Sequence, residues 1–357
     1  MGTSDGLSSN AEHVVYIPLE IERALNAPTE EIRDYYSGKR VLVTGGGGYL
    51  GTNLIGLLSA IDCHIVRFGR SPQDFSLVTQ GAARISEMKG DVRNNESWKE
   101  ALADIDVVFH FAAQTSVPRA EADARADLEN NVLPMVTLLE VCRQNSFHPS
   151  VIFSGTVTEA GIPECLPVSE AHPDKPVTVY DLHKLMAENY LKYYAARGIV
   201  HGTTLRLANV YGPGPKSSSA DRGVLNMMIR KAINGEPLTV YGEGTNLRDY
   251  SFVEDVVGAF VEAARSIDRV NGAHFVIGSG HGHTIGEAAR LVSDRVALKT
   301  KVRAEVRHVN PPQTQPAIND RNFVADSSRF MQATGWKPRW TFADGIDQTI
   351  EAFTCES

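Results

Sequence analysis

The fold class predicted by the sequence is α/β: a doubly wound parallel sheet followed by a smaller C-terminal α/β domain. Three observations predict it. From about residue 40 to residue 207, short apolar runs alternate with helical stretches of about 10–15 residues, the signature of parallel βαβ units. The first of these runs, Arg40 to Val43, leads directly into four consecutive glycines, Gly45 to Gly48. Beyond about residue 212, Pro, Gly and Ser become frequent and the apolar runs shorten, which marks the second domain.

Taken in order, the first ten residues are Gly/Ser-rich and acidic and are expected to be disordered. Residues 17–37 read as one or two short helices, with Ile17, Leu19, Ile21, Leu25 and Ile32 set among charges. A strand over Arg40–Val43 is followed by a helix from about Gly51 to Ala60. A second strand, His64 to Phe68, ends at Gly69-Arg70, and a short third one precedes Gly90-Asp91. Asp106 to Phe111 is the fourth strand, residues 129–145 a helix, and Ser150 to Phe153 the fifth strand. A helix over about 180–197 and a strand over Gly202–Leu207 complete the first domain.

Composition excludes several classes. With a formal net charge of -8 and no basic stripe, the chain is not expected to bind nucleic acid. Cys63, Cys142, Cys165 and Cys355 are scattered and form no C-x-x-C pair, which argues against a disulfide framework or a zinc site and suits the cytoplasm. The N-terminus lacks the basic-then-apolar pattern of a signal peptide. No run approaches the roughly 18 apolar residues of a membrane span. His281 and His283 have metal-like spacing but no local third ligand, and Gly278 to His283 read as a flexible loop.

Gly46, Gly48 and Gly51 satisfy G-x-G-x-x-G after a strand and at the opening of a helix, the setting of a Rossmann dinucleotide-binding turn. Glycines let the backbone approach a pyrophosphate, and the helix N-terminus offers free N–H groups and about half a positive charge. An NAD site usually carries an acidic residue about 20 positions later, for the ribose 2′-hydroxyl. Here that position is Gly69, followed by Arg70 and Ser71, with Arg67 two residues before. No carboxylate stands there to repel a 2′-phosphate and a guanidinium can accept one, so the reading is NADP in preference to NAD.

The chemistry is placed on Tyr180-Asp181-Leu182-His183-Lys184. Residues four apart share a helix face, so the Tyr180 hydroxyl and Lys184 ammonium can enter one cleft. A nearby cation favours phenolate and lowers a tyrosine from its usual value of about 10. Ser154-Gly155-Thr156 brings a hydroxyl to the carboxyl end of the fifth strand, the edge at which such sheets bind ligands. His183 is read as a surface residue.

On these residues the chain resembles the extended short-chain dehydrogenases/reductases of the nucleotide-sugar epimerase/dehydratase group, over about residues 39–353. The resemblance implies that Thr44, Gly45, Gly47, Gly48, Tyr49, Leu50 and Gly51 form the cofactor loop. Gly69, Arg70 and Ser71 border the adenosine ribose, Asp91 and Val92 the adenine, and Ala112, Ala113 and Gln114 line the cofactor, with Asn131 a structural partner. Thr156, Tyr180 and Lys184 match the catalytic set. Arg206, Asn209, Tyr211, Gly212 and Pro213 match Arg-x-x-Asn-x-Tyr-Gly-Pro, whose Asn touches the substrate phosphates; Arg248 matches an Arg that grips the pyrophosphate. Arg222, Val224 and Arg321 are further substrate-side candidates, Arg321 in poor register.

The family's 4,6-dehydratases carry Asp-Glu immediately after the catalytic Thr. Here those positions are Val157 and Thr158, and Glu159 comes one later, which disfavours a dehydratase. What the resemblance implies is therefore a nucleotide-sugar epimerase acting through a transient 4-keto sugar, with Tyr180 as acid/base; the alternative is an NADPH-dependent keto-sugar reductase, and a non-catalytic NADP-binding sensor is a third reading. The substrate is expected to be a UDP-, dTDP-, CDP- or GDP-sugar. The resemblance divides the chain into an N-terminal extension (1–38), a Rossmann domain (39–212) and a mainly substrate-binding domain (213–357), with parts of about 250–280 returning to the first. In many relatives the helices matching 129–145 and 180–197 join two subunits, so a homodimer is expected.

Overall fold

A computed structural model describes residues 28–70, 81–215, 223–311 and 317–355. Most of the predicted N-terminal helical segment, and the candidate residues Ser71 and Arg222, lie outside the described residues. Seven strands form one sheet: β1 (Arg40–Thr44), β2 (His64–Gly69), β3 (Arg84–Lys89), β4 (Val107–His110), β5 (Ser150–Thr156), β6 (His201–Leu207) and β10 (His274–Ile277). Their order is β10-β6-β5-β4-β1-β2-β3, and every pairing is parallel. The central strands are covered on both faces, which is why they read as unbroken apolar runs rather than as alternation.

Successive residues of β1 serve opposite layers. Val41 and Val43 pack with α2 (Tyr49–Ser59) and α9 (Val253–Arg265) around Leu54, Ile55 and Phe260. Leu42 packs with α3 (Asn95–Ala101), α6 (Leu133–Asn145) and α7 (Val179–Ala195) around Trp98, Leu138 and Leu191. The first described helix, α1 (Glu30–Tyr36), adds to the α9 side, where the buried Tyr36 hydroxyl donates to the Val261 carbonyl at 3.1 Å. The single helix expected over 129–145 is two: α5 (Ala124–Asn131) stops at Val132, and α6 starts anew with Pro134 in its first turn. Proline has no N–H to continue a helix but suits the first turn, where none is needed.

The C-terminal elements build a second, smaller core. A three-stranded sheet, β11 (Gly282–Thr284), β9 (Leu247–Phe252) and β7 (Asn209–Tyr211), lies beside the pair β8 (Leu238–Tyr241) and β12 (Val306–Val309). Helices α8 (Val224–Ile233), α11 (Ile285–Thr300) and α13 (Phe342–Cys355) close over it around Ile229, Val292 and Ile346. Between them α9 and β10 return to the main sheet, β10 pairing with β6.

Strand order reverses between β1 and β4, and a hydroxyl fastens their carboxyl ends. Thr44 Oγ1 accepts from the backbone N–H groups of Phe111 and Ala112, both at 3.1 Å. Its own proton is left for His110 Nδ1, 2.8 Å away, so that nitrogen is the acceptor. Burial holds His110 down to about 3, with the charge of Lys184 adding to the effect. The unfolded imidazole protonates near 6.5. The stabilisation is thus complete above about 6.5 and is lost as pH falls toward 3, at up to about 1.4 kcal/mol per pH unit. Asparagine can present Oδ1 where His110 presents Nδ1. His110→Asn is therefore expected to flatten the fall in melting temperature between pH 7.5 and pH 4.5, and a slope equal to that of the unsubstituted protein would refute the assignment.

Candidate active site

The cleft begins at the β1–α2 turn. Gly45 has φ +66°, and a Cβ there would lie 2.8 Å from the Ala112 nitrogen, so glycine is required on both counts. A Cβ on Gly51 would collide with the Gly45 carbonyl oxygen and with Cα of Gly46. Gly48 caps α2 without a side chain, and the first intrahelical bond runs from the Thr52 nitrogen back to Gly48 at 2.9 Å. The N–H groups of Tyr49, Leu50 and Gly51 at this helix start therefore have no intrahelical acceptor. A bare, positively polarised helix end over a glycine cradle fits a pyrophosphate. Gly47 lies in the same turn, and the Tyr49 hydroxyl donates to the Gly212 carbonyl at 3.0 Å, tying the turn to the second core. Thr44, by contrast, is fully buried and keeps its side chain in the β1–β4 seam.

At the far end of β2, Gly69 is half-buried and Arg70 exposed. Arg67, two residues earlier, is buried and ion-paired with Glu87 of β3 at 2.7 Å, so it serves the sheet. Asp91 and Val92 follow β3. The Asp91 carboxylate accepts from Arg93 Nη2 at 2.6 Å and Nε at 3.0 Å, which holds it below the usual carboxylate range. Arg93 thus brings a second guanidinium to this rim, a placement that no motif signalled.

Beyond β4, Ala112, Ala113 and Gln114 are half-buried along the cleft. The Gln114 backbone and the Asn131 side chain exchange two hydrogen bonds of 3.0 Å. His183 is not a surface residue: it is 6% exposed, and Nδ1 lies 2.7 Å from the buried Asp127 carboxylate. The helix face carrying His183 meets α5, a long-range pairing that the local pattern does not disclose.

Thr156 ends β5, and the first turns of α7 carry Tyr180 and Lys184; all three are buried. Lys184 Nζ lies 4.1 Å from the centre of the Phe153 ring on β5, which seats the ammonium against the strand. Thr156 Oγ1 is 2.8 Å from Thr158 Oγ1, and Thr158 donates onward to the Asp181 carboxylate. Glu159 is fully buried, with Oε1 accepting from the Thr156 nitrogen at 2.9 Å and Oε2 3.0 Å from Arg206 Nε. Burial and the nearby Glu188 push Glu159 well above the carboxylate range. Glu188 is also desolvated, yet two bonds from Arg206 hold it down to about 2. Arg206 is therefore committed to the support beneath β5 and α7.

On the second core, Arg248 of β9 and Arg321 are both buried and adjacent. Arg248 Nη1 donates to the Leu247 carbonyl at 2.9 Å and to the Arg321 carbonyl, and Arg321 Nη1 donates to Ile318 at 2.8 Å. The poor register of Arg321 in sequence thus does not prevent its meeting Arg248. Asn209, half-buried on β7, has its Oδ1 enclosed without a hydrogen-bond partner among the described residues. Val224 is 45% exposed at the start of α8. His283 does not lie in a loop but in β11, opposite Arg248, with its ring stacked on Phe342 at 4.4 Å. Aromatic packing gives order to a segment whose glycines suggest none.

The family model described as the NAD dependent epimerase/dehydratase family matches residues 41–278. The UDP-glucose 4-epimerase of Mycolicibacterium smegmatis is 30% identical over 89% of this chain and 99% of its own. Among solved structures, the UDP-glucose 4-epimerase of Thermotoga maritima with UDP-glucose has a TM-score of 0.78 at 25% identity, covering 88% of this chain and 99% of that one. The UDP-glucose 4-epimerase of Thermus thermophilus in complex with NAD has a TM-score of 0.75 at 27% identity, covering 88% and 99%. The chain belongs to the NAD dependent epimerase/dehydratase family, within the extended short-chain dehydrogenases/reductases.

Proposed function

We propose that this enzyme interconverts the C4 epimers of a UDP-sugar through a transient 4-keto sugar, with Tyr180 as acid/base. The observation that carries the reading is the surroundings of Thr156. They supply hydroxyls, with the Lys184 ammonium seated against Phe153 of the same strand, while the carboxyl group of Glu159, which follows, is held under Arg206. Chemistry at C5 or C6 would need a further acid or base, and that one is committed to structure.

The glycine turn and the start of α2 would hold the pyrophosphate of the dinucleotide, Asp91 and Val92 would border the adenine, and Ala112 to Gln114 would line the middle. When bound, the dinucleotide supplies a reversible two-electron sink at the sugar carbon. Tyr180 takes the proton of the reacting hydroxyl and returns it, Lys184 keeps the phenol acidic, and Thr156 holds the oxygen. Arg248, Arg321 and Asn209 would face the UDP phosphates, with Val224 beside the nucleotide. Leu133 of α6 and Leu182, Tyr190 and Tyr193 of α7 are 40–52% exposed, an apolar surface suited to a homodimer. Its thiols are unpaired and no described helix is long and apolar enough to cross a membrane, which suits a cytoplasmic protein.

Incubated with UDP-glucose, the enzyme is expected to form UDP-galactose with no net change in nicotinamide absorbance; stoichiometric oxidation of NADPH with a keto sugar would replace the epimerase reading with a reductase. Tyr180→Phe should lower kcat by about 100- to 10,000-fold while dinucleotide binding persists. NADP is the cofactor supported by Gly69 and the exposed Arg70. Titration should give a lower Kd for NADP than for NAD, and Arg70→Ala should weaken NADP alone; tighter binding of NAD would sink the preference.

A further inference from the structure

Beneath the cofactor-lining loop sits a carboxylate that the proposed chemistry does not use. Asp127 of α5 is 1% exposed. Its Oδ1 accepts from Gln114 Nε2 at 2.6 Å and from Asn131 Nδ2 at 2.9 Å. Its Oδ2 lies 2.7 Å from His183 Nδ1. A carboxylate only accepts, so His183 must donate through Nδ1. Asp127 thereby joins three parts of the fold: its own helix, the loop after β4, and α7.

The two ends of this junction matter. On one side, Gln114 and Asn131 hold the backbone of the loop through their reciprocal bonds. On the other, His183 immediately precedes Lys184 and lies three residues after Tyr180. A second tie holds α7 from the turn after β5, where Thr158 donates to Asp181, the residue after Tyr180. The segment carrying the tyrosine and lysine is thus pinned from both flanks by buried carboxylates. Buried charge–hydrogen-bond contacts of this kind are costly to break, because the carboxylate left behind is desolvated and short of a donor.

We infer that Asp127 and His183 are positioning residues that set the spacing between the cofactor-lining loop and the Tyr180–Lys184 segment. The inference rests on the proposed reading of that cleft as the dinucleotide and sugar site. Misplacement of a reacting group by about 1 Å can cost 100-fold in rate. Loss of the tie therefore acts on turnover and on the seating of the dinucleotide, and leaves the remote grip on the nucleotide sugar intact.

The test approaches the bond from both ends. Asp127→Asn removes the charge and one of the two acceptor oxygens, and His183→Leu removes the donor. His183→Asn restores a donor where Nδ1 stood. Asp127→Asn and His183→Leu are each expected to lower kcat 10- to 100-fold, a range set by the 100-fold figure above, with KM for UDP-glucose unchanged, and to raise the dinucleotide Kd. His183→Asn should recover most of both losses. The double variant Asp127→Asn/His183→Leu should be no worse than the poorer single one. If one single variant does not fold, the other and the His183→Asn rescue still decide. Wild-type kcat and dinucleotide Kd in either folded variant overturn the inference, as do additive losses in the double variant. If the unsubstituted protein turns over no nucleotide sugar, the proposed function fails by itself. The dinucleotide Kd series then decides on the tie.

Discussion

No atom fits between Gly51, the third residue of α2, and the carbonyl of Gly45, and none fits between Gly45 and the backbone of Ala112. These two close approaches bring α2 against β1 and both against the end of β4. Any side chain at either glycine would separate the helix start from the strand ends and close the crevice at which strand order reverses. Thr44 completes the junction from below, using both capacities of one hydroxyl to close the seam. His110 accepts that hydroxyl as a neutral ring because burial denies it a proton. The glycine cradle is thus the visible side of a junction whose hidden side is a threonine and a histidine.

A second constraint is electrostatic. Arg206, Glu159, Glu188 and Asp174 meet beneath β5 and α7, with Arg206 at 2.5 Å from Asp174 and 2.7 Å from Glu188. Enclosing the charges of Arg206 and Glu188 costs much of what their pairing returns, so the cluster is weak evidence for stability. What it does achieve is placement. Glu159 closes a capping box with Thr156, so the backbone N–H at the strand end is held by the same carboxyl group that lies against Arg206. Asp127 holds α7 from the side of α5 through His183, and Thr158 holds it through Asp181. The polar interior is arranged around the helix that carries Tyr180 and Lys184, while the apolar layers hold the sheet.

Much of this was legible in the chain itself. Parallel strands buried on both faces leave continuous apolar runs, so β1, β4, β5 and β6 could be read from local composition, and the family from its motifs. The glycine spacing expresses a steric need met within seven residues, and the four-residue interval from Tyr180 to Lys184 expresses the helical repeat. Such features are local, and a linear pattern records them. The burial of His183, the turning of Arg67 toward Glu87, the approach of Arg321 to Arg248 and the ordering of His283 on Phe342 are different. Each depends on a partner 20 to 73 positions away.

The sequence by itself therefore determined the class of fold, the family and the residue types available at the strand ends, because backbone sterics and period are properties of neighbours along the chain. Only the tertiary structure decided which charged side chains remain at the cleft and which are consumed beneath it. A carboxylate or guanidinium is chemically the same in either place, and its availability is set by the donors and acceptors that folding brings to it.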